Sequence, residues 1–139
     1  MANKPCILID LNIILDVYQK RDPFYEASAG ILALVETGQI NGYIAAHSFP
    51  TLFYLIQKDK SATEAKALII TLLRIIKISL IDQETIEKAL ALDYSDFEDA
   101  VQMICALQCK ADFLITRNIK DYQPALVPVL EPIDFLNAF

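Results

Sequence analysis

The stretch Cys6-Ile7-Leu8-Ile9-Asp10-Leu11-Asn12-Ile13-Ile14-Leu15-Asp16 decides the fold class. An unbroken apolar run from Cys6 to Ile9, closed by an acid, has the form of a strand buried on both faces, and Leu11 to Tyr18 continues as a turn into helix. Working outward, Phe24, Ala27, Ile31, Leu34 and Val35 recur at helical spacing until Gly38, a residue suited to the position after a helix. Tyr43 to Ala46 reads as a second strand. Ser48 then caps a helix that tolerates Pro50 in its first turn and runs to about Lys58. Ser61 and Glu64 have capping-box spacing for a helix through Ile75, and Lys77 to Ile81 is a third strand, with Asp82 capping the helix after it. Ser95 and Glu98 repeat the box for a helix to about Cys109. Phe113 to Thr116 and Val127 to Leu130 are the fourth and fifth strands, and a last helix starts near Pro132. Continuous apolar strands separated by helices predict an α/β fold: three α/β/α layers with a central parallel sheet of four to five strands, in one domain over residues 1–139.

Composition excludes several classes. At 139 residues, with 55% apolar residues and only three Gly and six Pro, the chain is neither disordered nor a low-complexity polymer. No apolar run approaches the roughly 20 residues that cross a bilayer, and Lys4-Pro5 leads straight into the first strand instead of a signal peptide. The expectation is a cytoplasmic protein with no membrane contact. Three cysteines, Cys6, Cys105 and Cys109, with a single histidine, His47, suit reduced core thiols better than a disulfide framework or a zinc site. A net charge of −6 opposes coating of nucleic acid by bulk electrostatics, so any such contact is local. Without a Gly-rich loop, dinucleotide and P-loop functions fall away.

In open parallel sheets ligands bind beyond the carboxyl ends of the strands. The residues there are acidic: Asp10 after the first strand, Asp96 and Asp99 in the first turn of a helix, and Thr116, Asn118 and Asp121 after the fourth strand. Singly, each is explained by capping or by the helix dipole. Together, if the first and fourth strands are neighbours, they crowd carboxylates that repel one another unless a cation relieves them. Oxygen donors select Mg²⁺ or Mn²⁺ over zinc, and Asp96 and Asp99, three apart on one helical face, could hold such an ion with Asp10. Phosphodiester hydrolysis is the reaction that this chemistry suits.

Three ordered motifs now carry a resemblance. The opening Ile7 to Asp16, the central Asp96-Phe97-Glu98-Asp99-Ala100 and the late Ile115-Thr116-Arg117-Asn118-Ile119-Lys120-Asp121-Tyr122 resemble the motifs of the PIN domain family, and Pro132-Ile133-Asp134-Phe135-Leu136 resembles its last helix. The Asp-Phe-Glu-Asp pattern is similar to one subgroup. The resemblance implies a metal-dependent endoribonuclease, often dimeric, and in bacteria often the VapC-type toxin of a toxin–antitoxin pair. By the same analogy Asp10, Asp99 and Asp121 are metal-binding carboxylates, with Thr116 and Asn118 supporting them and Asp96 a further ligand. Either Asn118 or Asp121 takes the fourth acidic position. Many members carry a glutamate early in the helix after the second strand, where this chain has Ser48-Phe49-Pro50-Thr51-Leu52-Phe53-Tyr54.

The implied cofactor is Mg²⁺ or Mn²⁺, and the implied partners are RNA, an antitoxin protein and a second copy of the chain. Lys20, Arg21, Arg117 and Lys120 flank the acids in sequence and are candidates to grip RNA phosphates, or equally a solvated surface. Asp16 reads as a surface residue or a support for Asp10. Tyr18, Tyr54 and Tyr94 read as packing residues that could stack on bases, and Phe49 and Phe53 as part of a dimer or antitoxin surface. The competing function is an RNA- or protein-binding module without cleavage. A haloacid-dehalogenase-type phosphatase needs a second Asp two residues after the first, where Asn12 stands.

Overall fold

A computed structural model describes residues 4–139. The chain runs β1 (Cys6–Ile9), α1 (Leu11–Tyr18), α2 (Tyr25–Glu36), β2 (Asn41–Ala45), α3 (Ser48–Asp59), α4 (Ala62–Leu73), β3 (Lys77–Ser79), α5 (Gln83–Leu90), α6 (Phe97–Gln108), β4 (Phe113–Ile115), a 3₁₀ turn (Ile119–Asp121), β5 (Val129–Leu130) and α7 (Pro132–Ala138). The five strands are parallel in the order β3-β2-β1-β4-β5. Strand β1 is central because Ile7, Leu8 and Ile9 have no polar side chain to keep at the surface, and all three are fully buried. Their alternation splits the interior into two cores. Ile7 and Ile9 join Ile44 and Ile115 under α1, α2, α3, α4 and α7, while Leu8 joins Ala45 and Leu114 under α5 and α6. The result is a three-layer α/β/α fold. Phe49 and Phe53 are half-buried against the first core, and Cys6, Cys105 and Cys109 are free thiols in the second. No described helix is long and apolar enough to cross a membrane.

Strand β1 spans Cys6–Ile9 as the sequence predicts, while the other strands are shorter or shifted. Strand β3 stops at Ser79 because it is an edge strand: Leu80 is 75% exposed and Asp82 turns away to cap α5, exchanging hydrogen bonds with Thr85. Strand β5 is confined to Val129 and Leu130, since Pro128 has no N–H to extend the ladder. Strand β2 starts earlier, at Asn41. Capping also differs. Ser61 accepts from the Glu64 amide as its spacing predicts, but the Glu64 carboxylate takes the Tyr18 hydroxyl instead of returning to Ser61. The expected Ser95–Glu98 box is replaced by Asp96, which accepts from the Asp99 amide at 3.2 Å. Ser48 is the first helical residue of α3; His47 occupies the capping position, and its side chain makes no capping bond. Gly38, at φ +77°, does close α2.

Asp16 overturns the surface reading. It is fully buried on α1, where Arg117 donates to both carboxylate oxygens at 2.8 and 3.1 Å and Ser28 donates at 3.3 Å. Arg117 also lies 4.0 Å over the Phe24 ring, and Arg21 approaches Asp16 at 4.0 Å. The cluster staples α1, α2 and the exit of β4. Removing one partner of a buried, hydrogen-bonded pair strands the other charge, a loss on the scale of 3–5 kcal/mol that exceeds any surface ion pair. Arg117→Ala is therefore expected to lower the unfolding free energy by about 3 kcal/mol. Urea denaturation measures this, and an unchanged midpoint would show that the pair does not hold the fold.

Candidate active site

Parallel pairing sets Ile9 opposite Ile115, so the residues leaving β1 and β4 emerge side by side. The chain departs from β1 toward β2 and β3, then returns through α5 and α6 to β4 on the other flank, which makes this the switch point of the sheet. Asp10 stands there. Thr116 Oγ1 donates to its Oδ2 at 2.6 Å, Tyr122 donates at 3.4 Å, and Gln102 Nε2 donates to Oδ1 at 3.4 Å. Burial raises the Asp10 carboxyl above the usual carboxylate range, against the pull of the Thr116 bond. Asp99, in the first turn of α6, is pushed up to about 6 by burial and then by the charges of Asp96, Asp121 and Asp10. No salt-bridge partner of Asp10 or Asp99 occurs among the described residues.

Asp10 and Asp99 share a cleft of about 70 Å³ with His47, Ser48, Thr51, Glu98, Gln102 and Tyr122. Asp96 and Asp121 act on Asp99 through their charge but stand off the cleft wall. Asn118 is exposed, and its amide donates to Thr116 Oγ1 at 3.0 Å. Asn118, Lys120 and Asp121 line a separate hollow with Arg117 and Glu131. Of the basic candidates, Arg117 is committed to Asp16, Arg21 lies beside the same acid, and Lys20 is exposed at the end of α1 with φ +51°. Tyr94 donates to the Pro124 carbonyl at 2.6 Å within range of the Asp99 charge, and Tyr18 donates to Glu64; neither lines the cleft.

Sequence reasoning missed Gln102, Tyr122 and the three residues opening α3. Gln102 comes three residues after Asp99, so the signal was helical spacing. Tyr122 and His47 carried no such signal. Burial pulls the His47 imidazole below the ordinary histidine range, opposed by Glu98 and Asp10.

The donor set fits a hard divalent ion. Three buried side-chain atoms have no hydrogen-bond partner among the described residues: Asn12 Oδ1, Gln102 Oε1 and His47 Nδ1. Gln102 turns its amide to Asp10 and His47 feels its charge, so two of the three stand beside one acid in the cleft. Buried acceptors without donors, beside uncompensated carboxylates, suit a cation and its water. No three His, Cys, Asp or Glu side chains among the described residues enclose an ion as they stand. An ion there would have few protein ligands and retain water, as Mg²⁺ commonly does.

A parallel α/β sheet with an acidic, oxygen-lined cleft at its switch point defines the class of the protein. The PIN domain model matches residues 6–120, and the chain belongs to the PIN domain family. The fold is similar to a toxin–antitoxin complex from Klebsiella pneumoniae at TM-score 0.70 and 23% identity, over 91% of this chain and 97% of that one. It is similar to DNA-bound VapBC from Salmonella typhimurium at TM-score 0.68 and 12% identity, over 92% and 98%. It is also similar to VapC20 of Mycobacterium tuberculosis, a toxin that cleaves the sarcin–ricin loop, at TM-score 0.62 and 14% identity, over 78% and 86%. A comparison with curated proteins finds no match.

The raised Asp99 carboxyl fixes a sign. A carboxyl whose folded pKa lies above its unfolded value near 3.9 binds more protons in the native state, so its ionisation opposes folding above about pH 6 and ceases to oppose it below about pH 4. Without divalent ions, Asp99→Asn is expected to raise the melting temperature by a few degrees at pH 7 and to leave it unchanged near pH 4. Thermal melts across that range decide it; a variant less stable at pH 7 contradicts the electrostatic account.

Proposed function

We propose that the protein is a divalent-metal-dependent endoribonuclease hydrolysing RNA phosphodiester bonds, and the toxin of a toxin–antitoxin pair. The observation that carries this is the uncompensated pair Asp10 and Asp99 in a cleft lined by buried, unpartnered acceptors, in a PIN domain chain. The similar solved structures include a toxin–antitoxin complex and a toxin that cleaves the sarcin–ricin loop, which supports the same reading.

Asp10 and Asp99 would hold the ion, Mg²⁺ or Mn²⁺, with Asp121 and Asp96 contributing charge from beyond the cleft wall. When bound, the ion supplies Lewis-acid polarisation of the phosphodiester and neutralises charge on its oxygens. The chain's own part is preorganisation. Thr116 and Tyr122 fix the Asp10 carboxylate by hydrogen bonds, so it need not reorient as charge develops. Asn118 fixes Thr116 in turn. Lys120, exposed beside Asp121, is a cation placed to meet a flanking phosphate, whereas Arg117 serves the scaffold and Lys20 stands past the end of α1 opposite to Asp10. A net charge of −6 suits a basic antitoxin segment as partner, and the active form is a homodimer.

A second reading, a PIN module that binds RNA or protein without cutting it, is favoured by one observation. The start of α3 lends the cleft His47, Ser48 and Thr51 but no carboxylate. Cleavage of a structured RNA pool with Mg²⁺, Mn²⁺ or EDTA separates the two. Metal-dependent cleavage is expected, reduced roughly 100-fold or more by Asp10→Asn or Asp99→Asn, the scale of removing one preorganised electrostatic group. RNA binding without turnover in any ion would leave the binding module standing.

A further inference from the structure

His47 occupies the capping position of α3, where a side chain normally bonds the first amides of the helix, yet it makes no such bond. Its ring instead lines the cleft with Asp10 and Asp99. Its Nδ1 is buried and without a hydrogen-bond partner among the described residues. A buried lone pair facing nothing costs about 1–3 kcal/mol. An imidazole nitrogen left without a partner beside two carboxylates is placed to take a metal ion.

We propose that His47 is a nitrogen ligand of the catalytic ion, standing in for the carboxylate that the start of α3 lacks, and that the centre therefore selects Mn²⁺ over Mg²⁺. The inference rests on the metal-dependent reading above and names its ion. The remaining donors are carboxylates, which keep the site in the hard class that Mn²⁺ shares, while an imidazole favours a transition ion over Mg²⁺.

The chain contains one histidine, so isotope labelling of histidine reports on His47 alone. Protein made without a histidine tag, with ¹⁵N-histidine, is loaded with Mn²⁺ and read by pulsed electron paramagnetic resonance, beside calorimetric titrations with Mn²⁺ and with Mg²⁺. The expected result is a directly coordinated nitrogen that changes with the label, and Mn²⁺ bound at least roughly tenfold tighter than Mg²⁺. In His47→Gln, checked for fold by circular dichroism, the nitrogen signal disappears and most of the preference goes with it. Mn²⁺ binding without nitrogen coupling in the wild-type protein, or a preference retained by a folded His47→Gln, overturns the inference and leaves the nuclease intact. If neither Mn²⁺ nor Mg²⁺ binds the wild-type protein, the inference and the metal-dependent nuclease both fall. The labelled wild-type measurement needs no substitution, so it decides the matter even if the variant does not fold.

Discussion

The 2.6 Å hydrogen bond from Thr116 to Asp10 ties together the carboxyl ends of the two strands between which the chain changes direction. Thr116 is fully buried, and an unpartnered hydroxyl there would cost on the order of 1–3 kcal/mol. It is satisfied twice, donating to Asp10 and accepting from the Asn118 amide. The pairing of β1 with β4 brings these residues together across 106 positions of sequence, and the same hydroxyl sets where the 3₁₀ turn begins. The geometry of the cleft is thus a consequence of sheet order.

Asp10 and Asp16 lie six residues apart and meet opposite fates. Asp16 is inside the fold, where an ion without a partner is penalised by several kcal/mol, and it has a bidentate arginine. Asp10 is at the rim of the sheet and has only neutral donors, so its charge is oriented but not neutralised. The difference is chemical purpose. An arginine on Asp10 would stabilise the fold and fill the place a cation needs, whereas a neutral threonine and tyrosine hold the carboxylate still and leave its field available.

Much of the fold was legible because parallel strands must be apolar on both faces, so Cys6 to Ile9 and Phe113 to Ile115 could not easily be anything else. The acids after them were legible for the topological reason that the switch point lies there. Asp16 was not, because its partner is 101 residues away and nothing local distinguishes a buried acid on a helix from an exposed one. Arg117 was misread for the converse reason: its neighbours in sequence are the site, while its side chain points to the scaffold. Capping boxes have the same weakness. The Glu64 spacing is right, but a tyrosine on another helix competes for its carboxylate.

The segment from Thr116 to Tyr122 concentrates this ambiguity, because successive residues face different parts of the molecule. Thr116 and Tyr122 turn to Asp10, Arg117 turns back to Asp16, and Asp121 places its charge within reach of Asp99. A chain leaving a strand and entering a 3₁₀ turn changes side-chain direction at each step, so adjacent positions need not share a function. Here the scaffold ion pair and the acidic cleft are joined through one peptide, Thr116–Arg117. Loosening Arg117 would therefore move Thr116, and with it the orientation of Asp10. In this fold the buried ion pair is a condition for the uncompensated one, since the charge left free at the cleft can be held in place only by a segment anchored at its other side.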